Sequence, residues 1–183
     1  MYELSVIIPI YNVEKYVAQC LDSIVNQSIG IENIEVIIVN DATPDNSMEI
    51  VEKYASKYSS IKIINNEENL GLGESRNRGL KEVTSDYVTF VDSDDFLSEN
   101  VYEDSLKKIK SSNSDLLIYN WEFYREDGEI EPFSIHKPHF KEDVIIEDFR
   151  QYPDFIFMTS VWNKIYHKKL FSYLKFPKSK YED

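Results

Sequence analysis

One cysteine, three histidines and five glycines are all that this 183-residue chain holds of those types. A lone Cys20 excludes an intramolecular disulfide framework, and its place on the apolar stripe of an expected helix marks it as core. His136, His139 and His167 lack a cysteine or helix-spaced acid to complete a transition-metal site, so loop, surface or structural roles are read for them. No apolar run approaches the length that crosses a bilayer. The N-terminus enters a strand pattern at once, without a basic region or cleavage site, so a cytoplasmic setting is expected. Positive charge is also scarce. Twenty Lys and Arg face 33 Asp and Glu, a net charge of −13 that excludes nucleic acid as a general partner.

What remains is a globular composition with an aromatic share of 14%, long enough for one domain over residues 1–183 and too short for two. Leu4 to Ile10 is an apolar run broken only by Ser5 and Pro9, a strand buried on both faces. Pro9 lacks an N–H, so this strand must end at a sheet edge or turn toward a ligand side. Asn12 is placed to cap the helix that follows, with Glu14 in its first turn and Val17, Cys20, Leu21, Ile24 and Val25 on its apolar stripe. Ile34 to Val39 repeats the strand and ends in Asn40-Asp-Ala-Thr-Pro-Asp45, turn and cap residues before a second helix. Ile61 to Ile64 and Tyr87 to Val91 are further strands, with a helix beginning near Gly73 between them. The alternation predicts an α/β fold with a largely parallel sheet, whose ligands gather at the strands' carboxyl ends.

Asp41, Asp92 and Asp94 each fall just after a strand, so three loops can converge on one crevice. The run from Tyr87 to Asp95 is the most telling, because a buried strand has no use for three acids unless it delivers them somewhere. On an extended chain Asp92 and Asp94 point to the same side and can share a hard cation, or divide metal and ribose contacts. Asp95 or Ser98 is read as a cap for the next helix. Gly71-Leu-Gly73 invites a dinucleotide reading, which fails. The third glycine, Gly79, comes six residues after the second, and the segment follows the third strand rather than the first. What remains is a turn leading into a helix that carries Arg76, a fixed positive charge for base, ribose or phosphate.

Beyond Ser98 the pattern gives a helix through Val101, Leu106 and Ile109, a strand at Asp115 to Tyr119, and a hairpin from Trp121 to Phe133 around Asp127-Gly128. Ile145 to Met158 could hold a helix broken by Pro153. Val161 to Tyr181 reads as a loop-rich tail with six lysines (164, 168, 169, 175, 178 and 180) and no acid. It is either a solvated basic face or a surface for an anionic ligand, acceptor or membrane.

Four segments in register resemble the family-two glycosyltransferases of the bacterial cell-surface polysaccharide type, which have the GT-A nucleotide-diphospho-sugar fold. They are Ser5 to Asn12, Val39 to Asp45, Asn69 to Gly79 and Phe90 to Asp95. The resemblance implies inverting transfer of a sugar from a nucleoside-diphosphate sugar, a UDP-sugar by preference, with Mg or Mn. The acceptor would be a glycan, a cell-wall polymer or a lipid-linked molecule, with peripheral membrane association possible. By the same resemblance Pro9 and Tyr11 line the nucleotide pocket, Asp41 bonds the base, and Asn69 and Arg76 flank nucleotide and diphosphate. Asp92 and Asp94 form the Asp-x-Asp pair, touching ribose or sugar and holding the metal. The family's common Asp-Asp-Gly-Ser is Asn40-Asp41-Ala42-Thr43 here, without the first acid or the glycine. Ser160 to Tyr166, then Phe176-Pro177 and Tyr181-Glu182-Asp183, resemble the approach to the family's catalytic base. Asp183, with Glu182 second, is the implied base. Family members continue past that motif, so a chain shortened in its acceptor-binding part is expected. Two rival readings are a nucleotidyltransferase, which would want a Gly-rich basic loop that Pro9 to Asn12 does not offer, and a noncatalytic nucleotide-sugar-binding module.

Overall fold

The computed structural model describes residues 1–125, 128–132, 144–148, 150 and 160–178. Its main sheet has six strands in the order β3 (Ile61–Asn65), β2 (Ile34–Asn40), β1 (Leu4–Ile10), β4 (Tyr87–Phe90), β8 (Lys164–His167) and β5 (Leu116–Ile118). β1 to β4 run parallel, while β8 is antiparallel to both its neighbours. The chain passes from β1 outward to β2 and β3, then returns to lay β4 on the other side of β1. The gap between β1 and β4 is therefore the topological switch point, where a crevice opens at the carboxyl ends.

The strand sequences explain why the sheet is covered on both sides. Along β1 the side chains alternate, and Leu4, Val6, Ile8 and Ile10 join one core with α1 (Val17–Val25), α2 (Ser47–Lys57) and α4 (Val101–Ser112). Ile7 faces the other way, into a core with Ile37, Val39, Val88 and Phe90, against which Leu80, Tyr166, Phe171 and Phe176 pack. Each such aliphatic side chain removed from water contributes about 1.5–3 kcal/mol, so strands without a polar face are stable only in this sandwich. The helix α3 (Leu72–Leu80) covers the second face. Gly79 lets it approach, because a Cβ there would stand 2.5 Å from Ile7 Cγ2.

Several expectations are corrected. Of the two expectations for Pro9, a sheet edge or a turn toward the ligand side, the edge fails, because β1 is a central strand. Ile10 accepts from Asp41 on the β2 side and Ile7 from Val91 on the β4 side, so Pro9 turns its missing donor toward β4 just past the last β1–β4 pair, Ile7↔Phe90. Asn12 does not cap α1. It sits at φ 57 and gives its N–H to Thr43 Oγ1, while Tyr16 occupies the N-cap position. Glu14 precedes the helix rather than filling its first turn. Neither Asp95 nor Ser98 caps α4, whose N-cap position is Asn100. The basic tail is not all loop, since β8 lies within it and Lys164 is buried, donating to the Ser160 carbonyl and to Asn163 Oδ1.

The hairpin is present as β6 (Glu122–Tyr124) and β7 (Ile130–Pro132), with Gly128 at φ 86. Asp127 lies outside the described residues, as do His136 and His139. Residues 145–148 are irregular rather than helical, and most of that expected helix is outside the described residues. Among the described residues no helix is long and apolar enough to cross a membrane.

Candidate active site

The loops after β1 and β2 are tied into one rim. Asp45 Oδ2 accepts from the Glu14 N–H at 2.8 Å, and its Oδ1 accepts from the hydroxyls of Thr43 and Ser47 at 2.7 and 2.6 Å. Glu14 returns the bond, accepting from the Asn46 N–H at 3.1 Å. Burial alone would raise the Asp45 carboxyl. The Ser47 and Thr43 hydroxyls, with the N–H groups of Glu14 and Ser47, outweigh it and hold Asp45 at about 2. Tyr11, in the loop after β1, is 48% exposed, while Pro9 within β1 is buried.

Asp41 is buried at the end of β2. Its Oδ1 accepts from Asn66 Nδ2 at 2.7 Å and the Leu70 N–H at 2.8 Å, and its Oδ2 from the Gly71 N–H at 2.9 Å. The carboxylate thus shapes the loop after β3. That loop reaches α3 through Gly71, whose φ of 86 favours glycine. Asn69 is exposed there, its Oδ1 also accepting from Gly71 N–H at 3.2 Å. Asn66, buried and absent from the sequence-derived set, links the parts. It donates to Asp41 and to Ser75 Oγ, and accepts from Arg78 at 2.5 Å. The signal that could have found it is a polar residue placed directly after a strand, as with Asp41.

Arg76 follows Ser75 on α3 and is 2% exposed, so the expected ligand-facing cation is an internal one. Its Nη2 bonds Asp92 Oδ1 at 2.6 Å. Its guanidinium lies over the rings of Phe90 and Phe176, 5.9 and 5.6 Å from their centroids. A continuous set of contacts therefore runs from Asp41 at the end of β2, through Asn66 and α3, to Asp92 at the end of β4. The two acids belong to one rim of the sheet.

Asp92 to Asp95 is a β-turn, not extended chain, because the Asp95 N–H bonds the Asp92 carbonyl at 3.0 Å. The same-side argument for Asp92 and Asp94 does not hold in a turn. Asp92 is partly buried toward Arg76, while Asp94 is exposed. Asp95 is solvent-facing too, yet it sits among protein and other acids. Partial loss of water, then the negative charges of Asp92 and Asp94, push it up to about 6. Cys20 lies beneath this turn, its thiol held neutral by burial and then by Asp95, Asp94 and Asp92. Among the described residues no three His, Cys, Asp or Glu side chains form a metal cage. The donor set nevertheless suits a hard divalent cation, which needs only one or two carboxylates when phosphates fill its other positions. The mutual repulsion of Asp92, Asp94 and Asp95, which adds to loss of water in raising Asp95, is what such a cation would relieve.

Asn77, the next residue of α3, donates from Nδ2 to the Phe176 carbonyl and accepts the Phe176 N–H at Oδ1, both at 3.0 Å. This fastens the segment that leads toward Glu182 and Asp183, which lie outside the described residues.

A six-stranded sheet of this order, with acids at the ends of its parallel strands, has the GT-A fold of the solved structures it superposes on. The profile of Glycosyl transferase family 2 matches residues 5–174, and the chain belongs to that family. Glycosyltransferase GlyA of Streptococcus pneumoniae serotype 4 is 35% identical over 181 residues, covering 95% of this chain and 26% of that protein. The poly(ribitol-phosphate) beta-N-acetylglucosaminyltransferase TarS of Staphylococcus aureus is 38% identical over 119 residues, 64% of this chain and 21% of that protein. The crystal structure of S. aureus TarS 1–349 in complex with UDP-GlcNAc superposes with a TM-score of 0.81 at 31% identity, over 96% of this chain and 48% of that one. The mannosyltransferase PcManGT of Pyrobaculum calidifontis, solved with GDP-Man and Mn2+, shares the fold at a TM-score of 0.70 and 16% identity, over 98% of this chain and 49% of that one. The chain thus spans between 21% and 49% of the length of these relatives.

Proposed function

We propose that this chain is the donor-binding part of an inverting glycosyltransferase. It takes a sugar from a nucleoside-diphosphate sugar, by preference a UDP-sugar, and passes it to a glycan, cell-wall polymer or lipid-linked acceptor in a cytoplasmic setting. The observation that carries the reading is the contact set joining Asp41, Asn66, Ser75, Arg76 and Asp92 across the switch-point crevice. The TarS complexes with UDP-GlcNAc and UDP, at 31% identity, support the UDP preference, and the activity TarS is named for supports an N-acetylhexosaminyl or hexosyl donor and a polymer acceptor.

In this reading the reaction is a single in-line displacement at the anomeric carbon. Tyr11, two residues after Pro9, offers its exposed ring to the base. Asp41 fixes the loop carrying Asn69, and so sets the width of the nucleotide pocket. Arg76 holds Asp92 in one orientation, while Asp94 stays exposed for the donor. Asp92 and Asp94 would hold a Mg or Mn ion, which when bound neutralises charge building on the leaving diphosphate. Asp183, with Glu182 second, would accept the proton of the attacking acceptor hydroxyl.

The test is a calorimetric titration of UDP- and GDP-sugars with and without Mn. A UDP-sugar binding more tightly with Mn, and losing that gain in Asp94→Ala, is the expected result. Identical isotherms for wild type and Asp94→Ala would refute the metal assignment. Failure of every nucleotide sugar to bind would refute the function.

A further inference from the structure

Beside α3, a groove of about 730 Å³ is lined by Leu80, Val83, Phe171 and Phe176, with Glu74 as its one acid among more numerous lysines. Its far wall is the 3-10 helix Lys168–Ser172 and the segment after it. Two apolar side chains project from that wall, Tyr173 at 72% exposure and Leu174 at 50%. Lysines surround them. Lys81, Lys175 and Lys178 line the groove, are exposed, and carry no ion pair among the described residues. Lys168 holds Asp86 at 3.1 Å and Lys169 holds Asp115, both as exposed surface pairs. Such pairs contribute little and open readily.

A chain of net charge −13 would be repelled by an anionic surface if its charge were spread evenly. Repulsion from acids elsewhere is screened beyond about 10 Å at 0.1 M salt, so a local basic patch decides the outcome. We propose that the segment Lys168 to Lys178, with Lys81, is a docking surface for an anionic lipid bilayer. Lysines meet the headgroup phosphates while Tyr173 and Leu174 enter the interfacial layer. The two apolar side chains favour a bilayer over a soluble polyanion, because a phosphate chain would satisfy the lysines and leave Tyr173 and Leu174 in water. The patch adjoins the candidate site through Phe176, which lies over Arg76. Docking would therefore hold the donor crevice beside a membrane-borne acceptor, and that last consequence alone rests on the transferase reading.

The experiment is flotation of the full chain with phosphatidylcholine vesicles, with and without phosphatidylglycerol, across a salt series. Binding to the anionic vesicles only, weakening with salt, is expected. The triple variant K81Q/K175Q/K178Q should bind roughly tenfold or more weakly. The double variant Y173S/L174S should also lose affinity. Thermal unfolding and nucleotide-sugar titration of both variants, expected to match wild type, separate loss of docking from loss of folding or of the donor site. Equal binding to neutral vesicles, or none to either kind, would overturn the proposal. So would tight binding to soluble polyphosphate that Y173S/L174S leaves unchanged, which would assign the lysines to a soluble polyanion.

Discussion

Two sets of acids at opposite ends of the sheet meet opposite fates. Glu35, at the amino end of β2, is fully buried, and its oxygens accept from Ser5 Oγ at 2.6 Å, Lys62 Nζ at 2.7 Å and the Thr84 N–H at 2.8 Å. Burial works to raise its pKa, but Lys62, Ser5 and Thr84 outweigh that and bring it below the usual value. Asp95, at the carboxyl end of β4, is raised to about 6, by loss of water and by Asp92 and Asp94. One acid is more buried and content, the other more exposed and crowded. Burial alone therefore does not decide an acid's charge here. The balance of donors against neighbouring charge also counts, and of these two ends the carboxyl end is the one whose acids lack donors enough to offset their crowding.

The comparison breaks most readily at Glu35. Glu35→Ala should destabilise the fold by about 3 kcal/mol, at the low end for a broken buried pair because Lys62 can turn to water, and leave donor affinity alone. Urea unfolding beside nucleotide titration checks both halves. If donor binding falls in proportion to stability, the separation of the two ends fails.

Asp94→Ala should do the reverse. If Asp94 holds the metal as proposed, we expect about a hundredfold loss of Mn-dependent donor affinity, the upper end of what disturbing a metal ligand's outer-shell partner costs. Stability should change by less than about 0.5 kcal/mol, as for other exposed positions. A large fall in unfolding midpoint would make Asp94 structural.

Next in size is the turn after β2, where Ala42 sits at φ 55. This is a left-handed position that an L-residue occupies at a cost and glycine does not. Ala42→Gly should stabilise the fold by about 1 kcal/mol in urea unfolding, and a loss of stability would show that the Ala42 methyl group packs usefully.

The smallest effect concerns pH. A carboxyl raised in the folded state binds its proton more tightly there than when unfolded. Its contribution is present below about pH 4 and is lost as pH rises through about 6. Glu35, lowered in the folded state, has the opposite sign, and its contribution is lost as pH falls below its unfolded value of about 4.5. Asp95→Asn should therefore flatten the decline in stability between about pH 4 and 6 and leave the acid limb intact. An unchanged profile across that range would remove Asp95 from the crowded set.

Much of the frame was legible locally. The apolar runs at Leu4–Ile10 and Ile34–Asn40 could be stable only as strands covered on both faces, and acids directly after strands marked the carboxyl end of the sheet, where the candidate site lies. The misreadings share a cause. Asn12 was read as a cap from residue type, but its N–H is taken by Thr43, 31 residues away. Arg76 was read as facing ligand, yet Asp92 and the rings of Phe90 and Phe176 draw it inside. β8 went unrecognised because four residues of mixed polarity carry little periodicity, and Lys164 looks like surface until its partners are known.

By itself the sequence determined the alternation of strands and helices and the clustering of carboxylates, since both depend on spacings within a dozen residues. Tertiary structure alone decided that β8 enters the sheet between β4 and β5, that Asn66 and Arg76 join the ends of β2 and β4, and that Asp92 to Asp95 turns rather than extends. Those outcomes depend on donors and rings brought from distant parts of the chain. A local pattern can say which groups must be satisfied, but the partner that satisfies each one is selected only when the sheet has assembled.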